Sequence, residues 1–82
     1  MKIMIVEDDE IIAKAMESEL KHWGYEVYCA KDLSDVVSEF KKFNPQLVLL
    51  DIMLPYFNGY YWCQVIRKLS NVPIIFISSK SE

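Results

Sequence analysis

The feature that most constrains the fold is the apolar run Leu-Val-Leu-Leu at residues 47–50, which ends in the carboxylate of Asp51. Four consecutive large aliphatic side chains are typical of a strand buried on both faces, as a central strand of a parallel sheet must be. Pro55 then breaks the run. In open α/β sheets, ligands gather where the strands end. We therefore expect Asp51 to lie at the functional edge of the sheet.

The rest of the chain alternates β-rich runs with amphipathic stretches of helical period. The runs predicted as the other strands are residues 2–6, 25–30 and 73–77. The resulting order, β-α-β-α-β-α-β with short joints, calls for parallel strands joined by right-handed crossovers. We therefore predict an α/β fold with a doubly wound parallel sheet.

Several residues indicate where the helices end and which side chains are buried. The apolar stripe of the first helix consists of Ile12, Met16, Leu20 and Trp23. Gly24 follows it, as expected just past a helix end. We expect Asp9 to cap the first helix and Asp32 the second. Trp62, in the third helical stripe, is expected to pack in the core.

The composition excludes several classes of protein. The chain has 82 residues, enough for one small domain, and its 52% hydrophobic and 26% charged content excludes disorder. A net charge of −3 provides no basic surface for nucleic acid or an anionic membrane. No apolar run reaches the roughly 18 residues of a membrane span or resembles a secretory signal. We expect a cytoplasmic protein with reduced cysteines.

Polar side chains follow three of the predicted strands. Glu7 and Asp8 follow the first, Asp51 follows the third and Ser78 follows the fourth. If the first and third strands pair, three carboxylates meet, and each like-charge contact at 4 Å costs on the order of 4 kcal/mol at an effective dielectric near 20. Such a cluster must keep protons or bind a cation. Because neither cysteine nor His22 accompanies the acids, Mg²⁺ fits better than zinc.

These residues together describe a phosphoryl site with an aspartate nucleophile and a neighbouring hydroxyl. A simpler interpretation is available for each acid alone, because an acid before a helix complements the helix dipole and one after a strand can cap a turn. The joint occurrence of acids at two strand ends and a hydroxyl at a third favours the site. His22, near a helix C-terminus, is interpreted as a complement to the dipole.

Three motifs carry a resemblance to a known family. They are Ile-Val-Glu-Asp-Asp-Glu at residues 5–10, Leu-Val-Leu-Leu-Asp-Ile-Met-Leu-Pro at 47–55 with Asn-Gly following, and Pro-Ile-Ile-Phe-Ile-Ser at 73–78. The chain resembles the receiver domain of a two-component response regulator, most closely those that carry a winged-helix DNA-binding effector. The resemblance implies a flavodoxin-like sheet with strand order 2-1-3-4, and a signalling protein rather than an enzyme.

The resemblance also implies roles for individual residues. Asp51 accepts a phosphoryl group from a sensor histidine kinase. Glu7 and Asp8 hold Mg²⁺, directly or through water, together with the Asp51 carboxylate and the main-chain carbonyl of Met53. Ser78 matches the family's switch hydroxyl, which bonds a phosphoryl oxygen. DNA binding belongs to the effector domain of the full-length protein.

Receivers continue beyond the motifs present here, through a fourth helix, a fifth strand with an essential lysine, and a fifth helix. We therefore expect residues 1–82 to be the N-terminal part of a receiver domain, without these elements and without an effector. The lysine's role is not assigned to Lys80, so phosphorylation of this chain is expected to be slow or absent. The fourth strand should be an exposed edge, which predicts a homo-oligomer, a segment-swapped dimer or aggregation.

Three other functions are less consistent with these residues. A phosphatase of the haloacid dehalogenase type needs a second acid two residues after the nucleophile, where this chain has Met53. Nucleotide binding is disfavoured because no glycine-rich phosphate-binding motif is present. A receiver-like interaction module that carries no phosphate remains the alternative.

Overall fold

The computed structural model describes residues 1–78, so Lys80 lies outside the described residues. Its elements alternate as predicted and are, in order, β1 (Lys2–Val6), α1 (Glu10–His22), β2 (Glu26–Cys29), α2 (Val36–Phe43), β3 (Leu47–Asp51), α3 (Gly59–Arg67) and β4 (Ile74–Ile77). The strands form one parallel sheet in the order β2-β1-β3-β4. The predicted α/β class, the doubly wound arrangement and the strand order are confirmed.

Polar side chains cap the start of each helix. Asp9 accepts hydrogen bonds from the amides of Ile11 and Ile12 and caps α1, as predicted. The prediction for the second helix was wrong, because α2 is capped by Asp35 and not by Asp32. Asp32 instead forms a local turn, in which its side chain accepts from the amide and hydroxyl of Ser34. Because of this turn, the helix begins after Asp35, three residues later than predicted.

The larger part of the core lies between the sheet and the α2–α3 face. There, alternate residues of β1 and β3 pack against both helices; the buried set is Met4, Val6, Val36, Phe40, Val48, Leu50, Trp62, Ile66 and Val72. Trp62 is 3% exposed, which confirms its predicted place in the core. This packing fixes α3 against β3 and therefore fixes the segment that joins them.

The opposite face of the sheet is covered by α1. Its cluster contains Ile5, Ala13 and Val27, with Met16 and Leu20 packed against it. Trp23 was predicted to continue this stripe, but it is 70% exposed. The helix ends at His22 and Trp23 is its C-cap, so the side chain leaves the face and donates from Nε1 to Glu19. Gly24 follows with φ +94°, as expected just past a helix end.

The carboxyl ends of the strands meet at one edge of the sheet. Val6 pairs with Leu50, and Asp51 pairs with Ile77, so the residues that follow these positions lie side by side. Along the outer side of the sheet, β4 is an edge strand among the described residues, with Ile75 51% exposed and Phe76 38% exposed. Within residues 1–78, no helix is both long and apolar enough to cross a membrane.

Candidate functional site

Three of the predicted site residues converge where β1 and β3 end. Because Val6 and Leu50 are paired, Glu7 and Asp8 leave β1 beside Asp51 at the end of β3. One oxygen from each of the three carboxylates lies within 4.8 Å of the other two. Glu7 is 5% exposed and Asp51 is fully buried. The sheet therefore brings three acids together, two of them buried and the third, Asp8, open to water.

Local hydrogen bonds orient the first of these acids. The amide of Asp9 donates to Oε2 of Glu7 at 2.9 Å. Asp9 itself turns away from the cluster to cap α1, so its carboxylate is used by the helix. Two consecutive acids, Asp8 and Asp9, therefore serve different purposes, one in the cluster and one at the helix start.

The backbone after Asp51 is held on both sides. Oδ1 of Asp51 accepts a hydrogen bond from the amide of Met53 at 3.1 Å. The amide of Ile52 donates to the carbonyl of Ile77 at 3.1 Å, and the carbonyl of Ile52 accepts from the amide of Gly59 at 2.9 Å. The position of the Asp51 carboxylate is thus tied to β4 and to the first residue of α3.

The remaining predicted site residues lie around this edge. Ser78 follows Ile77, the partner of Asp51, and is exposed at the same end of the sheet. The side chain of Met53 is 54% exposed, so its main chain is the part of this residue that faces the carboxylate.

The three carboxylates lie close enough to repel one another. Three carboxylates at these separations repel one another by several kcal/mol if all are ionised without a cation. Protonation or cation binding relieves that repulsion. The cluster, as found among residues 1–78, offers only oxygen ligands, which are the ligands of hard cations.

A cavity of about 540 Å³ lies next to the acids, between α1 and β2. Its lining includes Glu7, Asp8 and Cys29. Burial, and then the nearby charge of Glu17, raise the pKa of the Cys29 thiol, so this sulfur is a weak nucleophile at neutral pH. Both cysteines are free, as predicted.

Glu39 holds the loop after β2, a role that the sequence does not predict. The carboxylate of Glu39 accepts hydrogen bonds from the hydroxyl of Tyr28 and from the amides of Lys31 and Asp32. The hydrogen bond to Glu39 is the main cause that raises the pKa of Tyr28 to about 12. The sequence around Glu39 does not predict this role, because the hydrogen-bond donors lie on β2 and on the loop that follows it.

Gly59 is the second residue that sequence reasoning missed. It is buried at the start of α3, and a Cβ built there lies 2.3 Å from the carbonyl oxygen of Asp51. The Asn-Gly pair was recognised only as part of a motif. Asn58 caps α3 because its side chain accepts a hydrogen bond from the amide of Tyr61. Glycine is needed at position 59 because the backbone of Asp51 lies too close for a Cβ.

Exposed aromatic side chains lie after the site. Tyr56 is 77% exposed, and Tyr60 is 54% exposed and contacts Phe76 with 5.1 Å between ring centroids. Phe57 and Tyr61 stack with 4.3 Å between centroids. These rings form an aromatic surface on the segment that joins β3 to α3 and on the outer side of α3.

Comparisons with known proteins assign the family. Residues 3–82 match the family model of the response regulator receiver domain. The transcriptional regulatory protein YvcP of Bacillus subtilis is 52% identical over 81 residues, which is 99% of this chain and 34% of YvcP. The chain therefore spans about a third of the length of the curated relatives it matches.

Solved structures agree with this assignment. The N-terminal domain of the nisin resistance regulator NsrR matches with a TM-score of 0.88 and 46% identity, covering 99% of this chain and 68% of that one. A chain in the structure of the histidine kinase ThkA in complex with the response regulator TrrA matches with a TM-score of 0.86 and 30% identity, and the match covers 99% of this chain and 71% of that chain. By its motifs, its sheet order and these matches, this chain belongs to the response regulator receiver domain family.

Proposed function

We propose that this chain is a phosphorylation-dependent signalling receiver in which Asp51 accepts a phosphoryl group from a sensor histidine kinase. The observation that carries the proposal is the convergence of Glu7, Asp8 and Asp51 at the carboxyl edge of the sheet. A carboxylate that is buried beside two others is well suited to nucleophilic attack once a cation balances the charge. Membership of the receiver family supports the same role.

The acids fit Mg²⁺. Their three carboxylate oxygens lie within 4.8 Å of one another, and a hard cation with oxygen ligands would be held by such a set. In this proposal Glu7, Asp8 and Asp51 hold the ion, with the main-chain carbonyl of Met53 as a further ligand. The ion supplies positive charge that offsets the negative charge of the transferring phosphoryl group.

The transfer itself uses Asp51. One carboxylate oxygen forms a bond to phosphorus while the phosphorus–nitrogen bond of the donor's phosphohistidine breaks. The electron pair stays on the histidine nitrogen, which leaves as neutral imidazole when its other ring nitrogen carries a proton. Burial of Asp51 limits access of water to the acyl phosphate. In this proposal the hydroxyl of Ser78, at the same edge, donates a hydrogen bond to a phosphoryl oxygen.

The partners follow from the relatives. A receiver in complex with a histidine kinase is among the matched structures, which supports a kinase as the phosphoryl donor. YvcP is named as a transcriptional regulatory protein, which supports control of a DNA-binding effector in a longer protein, with residues 1–82 as the N-terminal part of the receiver. We place this function in the cytoplasm, where the ATP that charges the kinase is found.

The exposed edge supports a further partner, a second copy of the chain. Ile75 and Phe76 present apolar side chains on β4, and such an edge is a template for pairing between chains. We therefore propose that this chain associates through β4 as a homo-oligomer or a segment-swapped dimer.

The phosphoacceptor is tested with a small phosphodonor. Wild type incubated with acetyl phosphate and Mg²⁺ should acquire a phosphoryl adduct that hydroxylamine removes, as an acyl phosphate requires. Asp51→Asn should acquire none. Asp35→Asn is the matched control, because Asp35 caps α2 and is not in the acid cluster. Equal labelling of Asp51→Asn overturns the proposal. A wild type that binds Mg²⁺ but is never labelled favours the phosphate-independent interaction module.

A further inference from the structure

Gly59 lies closer to the backbone at Asp51 than any residue with a side chain can. A Cβ at this position meets the carbonyl oxygen of Asp51 at 2.3 Å, its carbonyl carbon at 3.0 Å and Cα of Ile52 at 3.0 Å. Ordinary contacts of a Cβ begin at 3.4 Å, so the closest of these is about 1 Å too short. All three atoms belong to the backbone and cannot give way by rotation of a side chain.

Neither side of this contact moves freely. On the side of β3, the strand pairs with both β1 and β4, and the amide of Ile52 continues the ladder to Ile77. On the side of α3, Trp62 and Ile66 are locked in the core. The amide of Gly59 is hydrogen bonded to the carbonyl of Ile52, which sets the distance between the two. A side chain at position 59 must therefore displace the peptide group between Asp51 and Ile52 or the first turn of α3.

Such a displacement acts on the acid cluster. The carboxylate of Asp51 is attached to the residue whose carbonyl is pushed, and its Oδ1 accepts from the amide of Met53. The carboxylate must also stay near Glu7 and Asp8, which come from a different strand and do not follow its movement. Misplacement of a reacting group by about 1 Å can lower a rate about 100-fold.

We propose that Gly59 is a positioning residue for Asp51: its lack of a side chain holds the start of α3 against the end of β3 and thereby sets where the Asp51 carboxylate lies. Gly59 acts through the backbone and touches neither phosphate nor metal. Its φ lies outside the left-handed region, so the requirement is one of space and not of backbone freedom. The inference rests on the proposed function for its effect on phosphorylation, but its effect on geometry is measurable without phosphate.

The chain offers a matched control for Gly59→Ala. Gly24 has φ +94°, and a Cβ built there meets nothing within 4 Å. Gly24→Ala therefore introduces backbone strain into open space at the far end of α1, whereas Gly59→Ala introduces a clash at the site. A merely structural role for Gly59 predicts that both variants lose stability and otherwise behave alike.

Three measurements separate the two roles. In metal-free protein, NMR should show the amide resonance of Met53 displaced in Gly59→Ala and unchanged in Gly24→Ala. The dissociation constant for Mg²⁺ should rise at least tenfold in Gly59→Ala alone. Labelling by acetyl phosphate, measured at saturating Mg²⁺, should slow about 100-fold in Gly59→Ala alone. A Gly59→Ala protein with the wild-type Met53 resonance and wild-type Mg²⁺ affinity overturns the proposal.

A variant that fails to fold is handled in two ways. Trimethylamine N-oxide favours compact states and is added equally to all samples. If Gly59→Ala stays unfolded even with this osmolyte while Gly24→Ala folds, the role of Gly59 is structural only and the positioning proposal is overturned. Absence of labelling in the wild type sinks the proposed function, while the metal-free NMR result still decides the role of Gly59.

Discussion

The hydroxyl of Tyr28 on β2 donates a hydrogen bond to the carboxylate of Glu39 on α2. The ring of Tyr28 also stacks on Phe43, with 5.4 Å between centroids. This pair therefore joins a strand to the helix that follows it. The same carboxylate accepts hydrogen bonds from the amides of Lys31 and Asp32, so it also fixes the loop that connects β2 to α2.

Removal of the Tyr28 hydroxyl should change the stability at alkaline pH. The pKa of Tyr28 is raised from 10 to about 12 in the folded chain, so its contribution is complete below pH 10 and is lost as the pH rises towards 12. Tyr28→Phe keeps the stacked ring and should lose about 1 kcal/mol of unfolding free energy at pH 8, a value discounted for partial exposure. Urea unfolding at pH 8 and pH 11 should show the difference from wild type shrinking at the higher pH. Tyr60→Phe is the control, and a difference that does not vary with pH would contradict this assignment.

Magnesium should stabilise the folded chain through the acid cluster. A ligand at 100 times its dissociation constant adds about 2.7 kcal/mol when it binds only the folded state. Mg²⁺ should raise the Tm of the wild type relative to K⁺ at equal ionic strength. The rise should be much smaller for Glu7→Gln, which removes a buried negative charge from the cluster. An equal rise in both proteins would exclude Glu7 from the metal site.

In the absence of a divalent cation, Asp51→Asn should be more stable than the wild type. The substitution removes one of three crowded carboxylates, and the asparagine Oδ1 can still accept from the amide of Met53. We expect a gain of about 2 kcal/mol in unfolding free energy at pH 7, measured with urea in the presence of a chelator. The order should reverse in excess Mg²⁺. Glu10→Gln, outside the cluster, serves as the control, and a loss of stability in metal-free Asp51→Asn is the opposing result.

Association through β4 should depend on the apolar side chains of the edge. Ile75 is 51% exposed, and lysine on an edge strand opposes pairing between chains. Ile75→Lys should therefore shift sedimentation towards the monomer relative to the wild type at the same concentration. Lys14→Gln, on the distant helix α1, should leave the distribution unchanged. A wild type that is monomeric throughout the concentration range would refute association.

The order and type of the elements could be predicted because each is encoded by local pattern. The run at residues 47–50 is apolar throughout, and the structure places it in a central strand. Convergence of Glu7 and Asp51 followed from the strand order that the family resemblance implied, since neighbouring parallel strands end at the same edge.

What the sequence did not reveal depends on contacts between elements. Asp32 and Asp35 are equally good caps by residue type, and the side-chain bonds to Ser34 and Ser38 decide between them. Trp23 and Trp62 both extend apolar stripes, but only Trp62 lies over the sheet. The closeness of Gly59 to Asp51 depends on how α3 is seated, which no local pattern encodes.

The peptide group between Ile52 and Met53 carries two hydrogen bonds, one on each side. Its N–H donates to the carboxylate of Asp51, and its C=O accepts from the amide of Gly59. A single rigid plane therefore connects the reactive carboxylate to the first residue of α3. When Oδ1 of Asp51 bonds to phosphorus, this peptide group loses its hydrogen bond to the carboxylate and keeps only the one to Gly59. The first turn of α3 is then held less firmly. Hydrogen exchange at the Met53 and Gly59 amides should consequently change together.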